Sequence, residues 1–217
     1  MKRVGSIIRL RPEYEERYII LHRNTFPGVL ERIRKSNIRN YTIFLREGIL
    51  FSYYEYTGKD FDADMKAISD PVTKDWWKLT DPMQEPLPAR RAGEWWAEME
   101  NMFCLQKKAS SDTCIQRIGL TAEIIPGREM ELKNFLKNFP CELEDSMNKE
   151  NFQNLNIFMK EGKLYFYYEY TGNDLMHSVL NLSGSEEFAE FQLGLNRLLK
   201  PKGRNPWLKM EEVFHTS

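Results

Sequence analysis

The sequence is poor in the residues that signal metal or disulfide chemistry. It holds three cysteines, Cys104, Cys114 and Cys141, with no Cys-x-x-Cys pair. An odd, scattered set reads as reduced thiols and excludes a disulfide scaffold. It holds three histidines, His22, His177 and His215, and no two stand at metal-ligand spacing. No metal site and no cofactor are therefore predicted. GxSxG, GxxxxGK[ST] and GxGxxG are absent, which argues against acyl transfer on a nucleophile elbow, P-loop phosphoryl transfer and dinucleotide binding. No run of 18 apolar residues occurs, so no membrane span is predicted. The opening MKRVGSIIRLRPE is cut by Arg9 and Arg11, so no export signal is expected and the protein is read as cytoplasmic. Excess charge is missing too: 31 Lys and Arg face 32 Asp and Glu. With no cluster of positive charge, nucleic acid is not an expected partner. Hydrophobic residues at 41% and charged residues at 29% are ordinary for a globular chain. Its 217 residues suit one large domain or two small ones.

The chain reads as one unit written twice. Residues 53–58 are YYEYTG, and so are residues 167–172, 114 positions on. Ile43-Phe44-Leu45-Arg46-Glu47-Gly48 matches Ile157-Phe158-Met159-Lys160-Glu161-Gly162, and Arg3-Val4-Gly5 matches Arg117-Ile118-Gly119. Pro12 matches Pro126, Phe26-Pro27 matches Phe139-Pro140, and Met99-Glu100 with Phe103 matches Met210-Glu211 with Phe214. Matches in one order along the whole length imply tandem duplication. The domains expected are 1–105 and 115–217, joined by a polar linker at 106–114.

Each copy has the same coarse layout. Residues 2–10 suggest a strand. Pro12 suits a helix start, and Tyr14, Tyr18, Leu21 and His22 recur at helical spacing over 13–22. Pro27 forces a new start, and Val29, Leu30 and Ile33 continue an apolar face. Residues 41–45 and 49–56 are aromatic and β-branched, with a turn at Arg46-Glu47-Gly48. Residues 60–80 are helical, broken at Asp70-Pro71, and 97–105 reads as a last strand. The order β-α-β-β-α-β is the ferredoxin-like split βαβ unit, an α+β fold with helices on one sheet face. Phe51, Tyr53, Tyr54 and Tyr56 put apolar or aromatic groups on both faces. The second face needs a cover, and the expected cover is the other copy's sheet. The chain would then be an internal pseudo-dimer and itself monomeric.

A set of polar aromatics marks the first copy. Tyr18 and His22 share a helix face, Tyr41 starts the second strand, and Trp76 and Trp77 are adjacent on a helix. Side chains of adjacent helical residues diverge by about 100°. One indole is therefore expected in the core and the other against a cavity. Indole faces stack on the C–H face of a sugar, while phenol and imidazole hydrogen-bond its hydroxyls. A neutral monosaccharide is the partner such a set suits. The second copy aligns Leu132 with Tyr18, Leu136 with His22 and Leu155 with Tyr41, and places Glu190 and Phe191 near the tryptophans. Three leucines in place of Tyr, His and Tyr predict a filled cavity there.

The first copy resembles the L-rhamnose mutarotases. The resemblance rests on Pro12, Tyr18-x-x-x-His22, Pro27, Asn40-Tyr41-x-Ile43, Phe51 with Glu55, Asp70-Pro71, Trp76-Trp77, and Met99-Glu100 through Phe103. It implies a dimeric α+β barrel, His22 as the acid/base group, and Tyr18, Tyr41, Trp76 and Trp77 as sugar contacts. It departs from that pattern at Phe26, at Arg23-Asn24-Thr25, and over 84–97, where Trp95-Trp96 has no place in the pattern. The implied activity is exchange of the α and β anomers of a 6-deoxy hexose such as L-rhamnose. Two alternatives stay open on the residues alone: a non-catalytic sugar-binding or regulatory module, and a cofactor-free monooxygenase.

Overall fold

The structure is a computed structural model that describes residues 1–105, 116–203 and 205–217. The expected linker at 106–114, with Cys114, lies outside the described residues. The chain forms two compact units, Met1–Met99 with Glu211–Ser217, and Glu100–Met210.

The first unit opens with β1 (Lys2–Leu10) and a 3-10 turn at Pro12–Tyr14, then α1 (Glu15–Arg23) and α2 (Pro27–Lys35). Pro27 sits in the first turn of α2, where its missing N–H costs nothing, so the break between the two helices falls where the sequence places it. A hairpin of β2 (Ile38–Arg46) and β3 (Ile49–Tyr56) follows. Its two turn residues, Glu47 and Gly48, both have positive φ, at 50° and 71°. That is the mirror-image turn whose twist matches paired strands. Then come α3 (Phe61–Ala67), α4 (Pro71–Thr80), and two short strands on β1, β4 (Gln84–Glu85) and β5 (Ala97–Glu98). Asp70 caps α4: its carboxylate accepts from the Thr73 N–H at 2.8 Å, with Pro71 in the first turn. On the helix-covered face, Ile8, Leu10, Ile43, Leu45 and Leu50 pack with Tyr18, Val29 and Trp76. Ile7, Phe44, Phe51 and Tyr53, which lie outside that cluster, are buried as well, so both faces of the sheet are shielded from water.

The second unit contains β6 (Glu100–Cys104), β7 (Gln116–Glu123), α5 (Glu129–Lys137), α6 (Cys141–Lys149), β8 (Phe152–Lys160), β9 (Lys163–Tyr170), α7 (Leu175–Ser183), α8 (Glu186–Asn196) and the start of β10 (Leu208–Thr216). Its registers reproduce those of the first unit. Lys2↔Tyr56 and Arg9↔Ile49 in β1–β3 become Gln116↔Tyr170 and Glu123↔Lys163 in β7–β9. Positive φ recurs at Asn151, Asn154, Glu161 and Gly162, each 114 residues after Asn37, Asn40, Glu47 and Gly48.

The units do not follow the expected boundaries at 105 and 115, because the closing strands divide. The segment 97–105, expected to be one strand of the first copy, breaks at Met99. Ala97–Glu98 pairs with β1, whereas Glu100–Cys104 pairs with β8. β10 behaves alike: Leu208–Met210 pairs with β7, and Glu211–Thr216 pairs with β2. No helix among the described residues is long and apolar enough to cross a membrane.

Candidate functional site

The site lies in the first unit, and α1 starts it. Glu15 and Glu16 lie in the helix's first turn and Arg23 in its last, which complements the helix dipole. Tyr18 and His22, four residues apart, are its buried residues. Their rings stack at 3.9 Å with 28° between planes. The His22 Nδ1 stands 3.0 Å from the Tyr18 carbonyl oxygen. A carbonyl only accepts, so Nδ1 carries the proton and Nε2 keeps its lone pair. Trp76 and Phe214 make T-shaped ring contacts with His22 at 5.2 and 5.6 Å. His22 is only 8% exposed. Burial lowers its pKa to about 4, against a smaller upward pull from the hydrogen bond to Tyr18. At neutral pH it is an uncharged imidazole with one basic nitrogen.

Two adjoining cavities, of about 370 and 240 Å³, share His22, Tyr41, Trp76, Trp77 and Trp96 in their walls. Tyr18 lines the larger one. All five residues expected from the sequence therefore come together. The expected division of the Trp76-Trp77 pair holds, with Trp76 in the core cluster and Trp77 against the cavities, and Trp76 lines the cavities as well. The cavity is broad enough to meet both directions that adjacent helical residues take. Phe26, where the family pattern differs, makes a T-shaped ring contact with Trp76 at 5.2 Å.

Sequence reasoning missed three contributors and left Trp95 and Trp96 unplaced. Gln84, buried at the start of β4, donates to the Tyr18 hydroxyl at 3.4 Å and accepts from the Trp95 indole N–H at 2.8 Å. This places Trp95 and Trp96: the segment after β4 returns them to the wall of the larger cavity. Asp81, in the 3-10 turn after α4, is the charged residue in that cavity's wall, and burial raises its pKa. Phe214 comes from β10, and its match with Phe103 was the available signal.

Burial pushes the Tyr18 and Tyr41 phenols well up, so both stay protonated and can donate. The Tyr41 hydroxyl and the indole N–H groups of Trp76 and Trp77 have no hydrogen-bond partner among the described residues. Neutral donors on aromatic walls, with one basic nitrogen and no lysine or arginine in the larger cavity's wall, suit an uncharged polyhydroxylated ligand. Among the described residues no group of three His, Cys, Asp or Glu could hold a metal ion.

Comparison with known proteins supports the same direction. The family profile described as L-rhamnose mutarotase matches residues 3–105. An L-rhamnose mutarotase of Listeria monocytogenes is 33% identical over 90 residues, covering 41% of this chain and 85% of that protein. One from Bacillus subtilis is 31% identical over 87 residues, covering 39% of this chain and 82% of that protein. Among solved structures, a candidate monooxygenase from Lactobacillus acidophilus covers 100% of this chain and 97% of its own, with a TM-score of 0.60 at 9% identity. At that identity the likeness concerns the fold alone.

Proposed function

Because the chain belongs to the L-rhamnose mutarotase family, we propose that it interconverts the α and β anomers of a 6-deoxy hexose such as L-rhamnose. His22 is the catalytic residue, and Tyr18, Tyr41, Trp76 and Trp77 hold the sugar. The site belongs to the first repeat, completed by Phe214. One competent site per chain is proposed, in a monomeric protein built as an internal pseudo-dimer.

The observation that carries this reading is the state of His22. Its Nδ1 is committed to the Tyr18 carbonyl, which leaves neutral Nε2 for the ligand. Nε2 takes the proton of the anomeric hydroxyl. The imidazolium so formed is a strong acid, since burial disfavours its charge, and it delivers the proton to the ring oxygen. As that proton arrives, the bond between C1 and the ring oxygen breaks, leaving an aldehyde and a free hydroxyl. Rotation about C1–C2 presents the other carbonyl face. Closure runs the same steps backward, with no net change in protons or electrons. General acid–base catalysis of this kind typically contributes about 10²–10⁴-fold. The Trp76 and Trp77 indoles offer faces to the sugar's C–H surface, and the Tyr18 and Tyr41 hydroxyls donate to its oxygens.

Saturation-transfer NMR on a panel of free sugars tests the proposal. Transfer between the anomeric proton signals of L-rhamnose should rise in proportion to protein concentration. Binding without such transfer would leave a sugar-binding module, and no response from any 6-deoxy hexose would overturn the assignment.

A further inference from the structure

The second unit departs from the expectation of a filled cavity. It keeps a cavity of about 330 Å³, and this cavity is built from the same positions as the first unit's. Leu155, Tyr168, Val179 and Leu182 line it, each 114 residues after Tyr41, Tyr54, Met65 and Ile68 of the first. Leu132 and Leu136, which align with Tyr18 and His22, are fully buried in the core. They close part of the space, and the remainder stays open.

We propose that this cavity binds a small, mostly apolar monocarboxylate. Its walls are Leu143, Phe152, Leu155, Phe166, Leu182 and Leu195, all buried. None of these six offers a hydrogen bond and the half-buried Tyr168 offers a single hydroxyl, so a sugar seated there would lose most of the water on its hydroxyls without replacement. An apolar body loses nothing and gains contact, because interiors are otherwise packed without voids of this size. The volume corresponds to about ten waters at ~30 Å³ each, which sets the scale of the ligand. The polar side chains in the wall are the half-buried Tyr168 phenol and the exposed Gln192, Asn205 and Lys209. Lys209 has no ion pair among the described residues. Asn205 accepts from the Trp207 N–H at 3.0 Å through its side-chain oxygen, which frees its amide protons. Gln192 adds a second amide. One cation and two amides beside an apolar chamber fit a single carboxylate on an apolar body. Trp207, whose ring meets Phe166 edge-on at 4.5 Å, reports occupancy from within the wall.

The inference stands on the second unit alone and is tested with 1-naphthoate and its neutral counterpart 1-naphthamide. In the wild-type chain, naphthoate should shift the Trp207 indole N–H signal. It should also show proton–proton contacts to the methyl groups of Leu143, Leu155 and Leu182, with one molecule bound per chain by calorimetry. Leu143→Phe on α6 and Leu182→Phe on α7 should each weaken both compounds at least tenfold. The wild-type contacts decide the location should either variant fail to fold. Lys209→Met should weaken naphthoate about fivefold to tenfold and leave naphthamide unchanged. No response of Trp207 at millimolar naphthoate would overturn the site. Binding indifferent to both phenylalanine substitutions would do the same. An equal effect of Lys209→Met on both compounds would overturn the carboxylate.

Discussion

At position 41 the first unit presents a tyrosine whose hydroxyl is unpaired among the described residues; 114 residues later the second unit presents Leu155. Around these positions the strands pair in the same register and the same turn residues adopt positive φ. The chamber persists in both units, so its existence follows from how the helices cover the sheet. Its chemistry follows from a few side chains. Tyr18 and His22 are inward-facing, and so are Leu132 and Leu136. The first pair brings two polar groups that need partners, and the second brings none. One backbone can thus serve a polar ligand or an apolar one, and the cost of stranding a buried polar group decides which.

The largest effect expected is the loss of anomer exchange in His22→Ala, by about 10²–10⁴-fold, measured by saturation transfer. His177→Ala and His215→Ala should exchange at the wild-type rate. The matching change in the other unit, Leu136→Ala, should leave exchange intact and destabilise the fold by about 2–5 kcal/mol, read by denaturant unfolding. An exchange rate unaffected by His22→Ala would break the distinction between the units.

The pH profile sharpens the comparison. In the proposed mechanism neutral His22 is the base, and burial lowers its pKa to about 4. Exchange should therefore be flat near neutrality and fall as pH drops through about 4; an inflection near 6.5 would contradict the burial argument. Stability follows the same sign. The unfolded histidine, with a pKa near 6.5, takes up its proton before the folded one does. The fold is accordingly most stable above pH 6.5 and loses up to about 3 kcal/mol between pH 6.5 and 4. His22→Leu, which copies Leu136, should abolish that loss along with the activity.

A smaller effect is expected at the tryptophans. Trp77→Ala should weaken L-rhamnose binding about tenfold through lost stacking area, measured by titration of the anomeric signals. Unchanged binding would place the sugar away from that indole.

Much of this was legible in the chain. Pro27 and Asp70-Pro71 divided the helices, Glu47-Gly48 marked the hairpin, and Tyr18, His22, Tyr41, Trp76 and Trp77 line one cavity. The exchange of closing strands was not legible, because the apolar pattern of 97–105 shows a strand without showing which neighbour it pairs with. Phe214 was missed for that reason. Asp81 and Gln84 fall in a one-turn 3-10 segment and a two-residue strand after α4, too short for periodicity to show which way a side chain points. The leucines of the second unit suggested a filled core; all three are buried in its core cluster, and Leu155 also lines the chamber that remains.

The five tryptophans divide between the units, with Trp76, Trp77, Trp95 and Trp96 in the first and Trp207 in the second. Their indole N–H signals therefore report on each cavity separately in one spectrum of the ¹⁵N-labelled chain. Saturating L-rhamnose should shift the signals of Trp76 and Trp77 and leave Trp207 unmoved. A shift of Trp207 with the same sugar dependence would show that the second unit binds sugar as well, and would contradict the account of one polar site and one apolar one.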